Sequence, residues 1–178
     1  MKTLIDHINE ALKIGKNLSK FSTHSCQPKT KDELLEIIFY RKKEKGPNCD
    51  LNDIDVSLIE DMSFLFYYSD FIGDISRWDT SNVNDMSRMF YDSKFTGDIS
   101  NWNTKNVNNM KEMFAFSKFD GDINKWDISN VTDMSYMFIG SEFNQDISNW
   151  KINKDCKTIA MLRDCSIKNE FKPKSLQK

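Results

Sequence analysis

The chain is 178 residues long, with 25 Lys+Arg against 27 Asp+Glu, a formal net charge of -2 and a hydrophobic fraction of 39%. That length supports one domain with a real core, the charge balance excludes a globally basic nucleic-acid binder, and the apolar content excludes a disordered chain. Its longest apolar runs, such as Ile37-Ile38-Phe39, are far too short to span a bilayer, so no membrane span is expected.

Leu4, Ile5, Ile8 and Leu12 mark one stripe of an amphipathic helix from about Thr3 to Lys16. Asp6 and Glu10 interrupt the stretch that a secretory signal would keep apolar, so the chain is expected in the cytoplasm. A second helix is better specified. Thr30 with Glu33 forms a capping box, Leu34, Ile37 and Ile38 form its buried stripe, Arg41-Lys42-Lys43 sit at the negative end of its dipole, and Gly46 stops it. Residues 1–46 therefore read as an N-terminal helical capping segment.

From there the chain repeats itself. Phe71, Phe95, Phe119 and Phe143 are each 24 residues apart, and Trp78, Trp102, Trp126 and Trp150 keep the same interval. The motif reads F-x-G-D-I-S-x-W-[DN]-x-x-N-V-x-x-M-x-x-M-F, with a worn copy before it, beginning at 47, and a decaying copy after Phe143. Self-similarity at this period predicts a solenoid over 47–166 in which each unit buries its apolar face only against its neighbours. Within a unit, Ile75 to Val83 is spaced for a strand, and Val83, Met86, Met89 and Phe90 are spaced for a short helix. The expected fold class is α/β: a short right-handed solenoid of about five 24-residue strand-helix coils behind a helical cap. Ser81, Asn82, Asn84 and Thr132 are suited to capping those helices, and Gly73, Gly97 and Gly121 to turning a tight corner. Residues 167–178 are Lys-rich and read as a basic, flexible tail.

The strings GDISRWDTSNVNDMSRMF, GDISNWNTKNVNNMKEMF and GDINKWDISNVTDMSYMF resemble the BspA-like leucine-rich-repeat family of DUF285 type, also called mycoplasma-type surface-protein repeats. The resemblance implies a right-handed leucine-rich-repeat solenoid and a role in protein-protein recognition or adhesion rather than catalysis.

The residues themselves offer little to catalysis. There is no Gly-rich phosphate loop, no nucleophile elbow and no paired carboxylate outside the repeat lattice, and both histidines, His7 and His24, precede the repeats. The four cysteines, Cys26, Cys49, Cys156 and Cys165, lack metal-ligand spacing and are expected as free thiols. No enzyme activity, metal or cofactor is expected. The Met, Phe and Trp series read as core, Asp50, Asp74, Asp98, Asp122 and Asp146 as corner residues accepting backbone N–H groups in preference to a calcium ladder, and Asn82, Asn106 and Asn130 as an internal ladder between turns.

Charge is segregated. Residues 50–150 sum to -11, 1–49 to +4 and 151–178 to +5. This predicts a non-enzymatic protein-protein interaction module, monomeric when free, that binds a protein partner with a basic surface through the exposed, acidic strand face and binds no nucleic acid directly. The residues expected to carry specificity are Arg77, Asn101, Lys125 and Asn149 before each Trp, and Asp79, Thr80, Asn103, Thr104 and Asp127, with Ile128, after it. Two alternatives remain: an inhibitor of phage or mobile-element type that occupies the basic groove of a host defence or nucleic-acid-binding protein, and a cell-surface adhesin.

Overall fold

The structure is a computed structural model and describes residues 26–177; the helix expected over 3–16 and both histidines lie outside the described residues. The capping-box helix forms as α1, Lys31–Lys45. Thr30 Oγ1 accepts from the Glu33 N–H at 3.2 Å, while the Glu33 carboxylate accepts from the Lys29 N–H at 2.7 Å, one residue earlier than an ideal box. Leu34, Ile37 and Ile38 are buried, and Gly46 leaves the helix at φ 85°. Basic residues flanking that buried stripe grip the first repeat unit: Lys31 pairs with Asp61 at 2.7 Å, Arg41 with Asp53 at 2.7 Å and Lys42 with Asp70 at 2.6 Å.

The units beyond α1 stack in a register of 24 residues. Parallel bridges join Asp50 to Asp74, and Asp61 to Asp85, Asn109, Asp133 and Lys157 in succession. The core between them is aromatic and sulfur-rich. Phe66, Phe90, Phe114 and Phe138 stack at 5.4 to 5.6 Å, a second Phe column runs through Phe71, Phe95, Phe119 and Phe143, and Met86, Met110 and Met134 are fully buried.

The strand-helix coils of a leucine-rich-repeat solenoid do not form. Among the described residues, α1 is the only α-helix, the remainder being short 3-10 turns at Asn169–Phe171 and Lys174–Leu176, and the bridges stay isolated rather than extending into a sheet. The cause is the spacing of the levels. The segment expected to be helical is itself bonded level to level, about 4.8 Å apart, whereas an α-helix with its side chains is about 10 Å across and would force that side of the stack to fan open. The segment expected to be helical is instead a run of overlapping turns. Met89, Tyr91 and Ser93 donate to Met86, Arg88 and Phe90, three residues back, while Met86, Arg88, Phe90 and Asp92 donate to Asn109, Lys111, Met113 and Ala115 of the next unit at 2.8 to 2.9 Å. Left-handed residues make the alternation possible, Arg88 at φ 55° and Asp92 at φ 47°. The segment expected to be a strand is likewise broken by turns, Trp78 donating to Ile75 and Val83 to Thr80.

With no helix to cap, Asn82 and Thr132 have another use: the Asn82 amide donates to the Ser57 carbonyl at 2.8 Å and the Thr132 hydroxyl to the Asn108 carbonyl at 3.0 Å, each one unit back. Gly97 and Gly121 do not adopt a positive φ. They are required because a Cβ there would lie 2.8 Å from the ring of Phe95 or Phe119. The stretch from 167 onward, expected to be flexible, buries Ile167 and places the Phe171 carbonyl 3.0 Å from the Ile147 N–H.

Candidate functional site

Arg77, Asn101, Lys125 and Asn149 form one exposed column, and Asp79, Asn103 and Asp127 form another across the buried Trp column. Thr80 and Thr104 do not belong to that surface. Each is 1% exposed, and their hydroxyls donate to the carbonyls of Asn103 and Asp127 at 3.1 and 3.0 Å. Ile128 fills the same buried slot, so this position links or packs successive units and is closed to a partner. The second column is also partly occupied. Asp79 accepts from the Ser81 N–H, Asn103 from Lys105 and Asp127 from Ser129 at 3.0 to 3.2 Å. The exposed column is freer: the side chains of Arg77, Asn101 and Lys125 make no hydrogen bond or close ion pair among the described residues, the Arg77 charge acting on Asp74 only at longer range.

The same turn recurs at all three corners of the unit and accounts for its acidity. Asp74, Asp79 and Asp85 each accept from the N–H two residues on, Ser76, Ser81 and Ser87, and the pattern repeats through eleven aspartates of the stack. Such Asx turns stabilise the bend and the ionised carboxylate together. The Ser76 and Ser100 N–H groups hold the Asp74 and Asp98 carboxyls below the usual carboxylate range, and the Ser129 hydroxyl and N–H do the same for Asp127. Their negative charge is therefore full at neutral pH. The bridged column is less uniformly charged, because neutral Asn109 stands between Asp85 and Asp133, its amide donating to Asp85 at 2.9 Å.

Around the turn runs lies a surface absent from the sequence reading. Tyr67 and Tyr91, one unit apart, stack at 5.0 Å, Tyr68 stands edge-on to Tyr67 at 4.5 Å, and Phe116 stands edge-on to Tyr91 at 5.5 Å. Tyr68 is 60% exposed and Phe116 47%. Arg88 lies over the Phe64 ring at 5.3 Å while its Nε and Nη2 each donate to a Glu112 carboxylate oxygen at 2.9 Å. Burial pushes the Tyr67 and Tyr91 hydroxyls up, and their neighbours add to it, so both stay protonated donors at neutral pH. A signal for this edge existed: Tyr91 occupies the slot of Tyr67 and Phe116 that of Tyr68, at variable positions of the repeat.

Among the described residues no group of three His, Cys, Asp or Glu side chains is placed to hold a metal ion, and no helix is long and apolar enough to cross a membrane. A family model described as "Mycoplasma protein of unknown function, DUF285" matches residues 33–140 and 94–172. No curated protein and no solved structure matches the chain.

Proposed function

Since the chain belongs to the DUF285 family, whose description assigns no activity, we propose that it is a non-enzymatic protein-interaction module whose recognition surface is the aromatic edge of Tyr67, Tyr68, Tyr91 and Phe116. The single observation that carries this reading is the exposure of Tyr68 and Phe116 on either side of a half-buried Tyr91. Tyrosine and arginine dominate binding energy at protein interfaces because a rigid ring brings large contact area with little entropy to lose. The partner has a basic surface. Eleven turn aspartates whose carboxylates are engaged in Asx turns give the stack a negative field that steers such a surface towards it.

The test is affinity capture from the native host with three proteins: the natural chain, Tyr68→Ser combined with Phe116→Ser, and Asp79→Lys combined with Asp127→Lys. Both variants change exposed side chains and are expected to fold. The reading requires one partner that binds the natural chain in a salt-sensitive manner and is lost from the aromatic variant. Full retention by that variant, or capture of nothing specific by the natural chain, overturns it.

A further inference from the structure

The turn runs have a direction. Met134, Tyr136, Phe138 and Gly140 donate their N–H groups to the carbonyls of Lys157, Ile159, Met161 and Arg163 in the next unit at 2.8 to 3.0 Å. The corresponding donors of that next unit are Thr158, Ala160, Leu162 and Asp164. None of these four N–H groups has an acceptor among the described residues. The edge nevertheless has the shape of every unit beneath it: Ala160 and Asp164 are left-handed at φ 49° and 56°, as Tyr136 and Gly140 are at φ 61° and 62°. Residues 167–177 pack Ile167 and Phe171 against the stack without supplying acceptors to this row.

The other end of the stack is treated differently. At the first unit α1 packs on the stack, its Lys31 reaching the Asp61 and Ser63 side chains and its Lys42 reaching Ser69 and Asp70. One end is thus covered and the other presents a row of donors two residues apart. An open row of backbone donors is a template for another chain. A second copy does not fit it. Two identical edges would set N–H against N–H, and a head-to-tail copy would have to displace α1. Charge narrows the occupant further: residues 151–178 carry eight Lys+Arg against three Asp+Glu, Lys154 and Lys157 are exposed, and Arg163 and Lys168, also exposed, are engaged only by the surface Asp164 at 3.8 Å and the Phe171 ring at 5.1 Å.

We propose that this edge binds an acidic peptide segment of a partner protein, which takes up the turn run of the units beneath it. Alternate backbone carbonyls of the segment accept from Thr158, Ala160, Leu162 and Asp164 as another unit would, and its carboxylates meet Lys154, Lys157, Arg163 and Lys168. This surface is separate from the aromatic edge and opposite to the turn columns in sign.

The experiment titrates the 15N-labelled full chain at low salt with a decapeptide of alternating Glu and Val, the Lys-Val counterpart, and a polyacrylate oligomer of matched charge. The acidic peptide is expected to move the amide resonances of Thr158, Ala160, Leu162 and Asp164 most and to slow their hydrogen exchange. Lys157→Glu combined with Arg163→Glu is expected to weaken it at least tenfold with the melting temperature unchanged. The Lys-Val peptide is expected not to bind, and polyacrylate, which has no peptide carbonyls, to bind at least tenfold more weakly. The proposal is overturned by absence of binding at millimolar peptide, by shifts centred on the aromatic edge or the Arg77 column, or by equal affinity for polyacrylate.

Discussion

Arg88 and Glu112, 24 residues apart and one level apart in the stack, hold each other through two parallel hydrogen bonds of 2.9 Å. The pair is partly solvent-exposed on the arginine side, with Arg88 at 36% and Glu112 at 17% side-chain exposure, so its worth lies between that of a surface pair and that of a buried one. A double-mutant cycle with Arg88→Ala and Glu112→Gln is expected to return a coupling of about 1 kcal/mol in chemical denaturation. Zero coupling would show that the two-bond geometry adds nothing to the stack.

The tryptophan column offers an internal comparison. Trp78, Trp102 and Trp126 donate their indole N–H to the carbonyls of Leu51, Ile75 and Ile99 at 2.9 to 3.2 Å, whereas the buried Trp150 indole nitrogen has no acceptor. Each Trp→Phe change removes similar apolar volume, but only the first three also remove a hydrogen bond. Trp102→Phe is therefore expected to cost about 1 kcal/mol more than Trp150→Phe in urea unfolding. Equal costs would mean the column is held by packing alone.

Gly97 tests how tightly the Phe column is seated. A methyl group at this position would lie 2.8 Å from two atoms of the Phe95 ring, which is itself fully buried. Gly97→Ala is expected to destabilise by about 1 to 3 kcal/mol through overpacking. The opposite sign, a gain from reduced unfolded-state entropy, would show that the ring can give way.

Acid should loosen the stack in a defined window. The carboxyls of Asp74 and Asp98 are held below their unfolded value by the Ser76 and Ser100 N–H groups, so their contribution is complete above the ordinary carboxylate pKa and is lost as pH falls through the depressed folded value. Stability is expected to be level from pH 7 to about 5 and to fall below about pH 4. Asp98→Ala is expected to lower stability at pH 7 by about 0.5 to 1.5 kcal/mol, with the deficit shrinking in acid where the natural chain is protonated too. Asp98→Asn should lose less, since Asn103 and Asn109 make the same turn. A deficit for Asp98→Ala that does not change with pH would remove the carboxylate from the account.

The register of the stack was legible because it repeats large residues that have one place to go: Phe90, Phe95 and Trp102 each recur at the interval that the bridges keep. The secondary structure was not. A spacing of three and four residues marks a helix only if the N–H groups bond within the segment, and Met86, Met89 and Phe90 show the same spacing in consecutive turns whose alternate donors leave for the next unit. Thr80 was misplaced because a hydroxyl reads as a surface group; its buried hydrogen bond to the Asn103 carbonyl exists only once the units are stacked. Lys125 and Arg77 are exposed, since a charge beside a buried Trp has no other exit. Tyr68 and Phe116 escaped notice because they sit where the repeat varies, and their clustering depends on left-handed backbone at both residues, Tyr68 at φ 51° and Phe116 at φ 57°.

The one-way hydrogen bonding of the turn runs has an electrical consequence. Each peptide unit that accepts from the level before and donates to the level after aligns its dipole with the stacking axis, and units such as Asp85–Met86, Asn109–Met110 and Asp133–Met134 are superimposed in columns. Four such columns, each adding in series as peptide dipoles do along a helix, outnumber the two columns through Asn84 and Asn108 and through Lys94 and Lys118 that donate the other way, leaving net partial negative charge at the end that faces Lys31 and Lys42 and net partial positive charge at the end that bears Ala160 and Leu162. Lengthening the stack by one unit would raise the moment without altering either terminal charge, so the polarity of the molecule does not depend on how many units it contains.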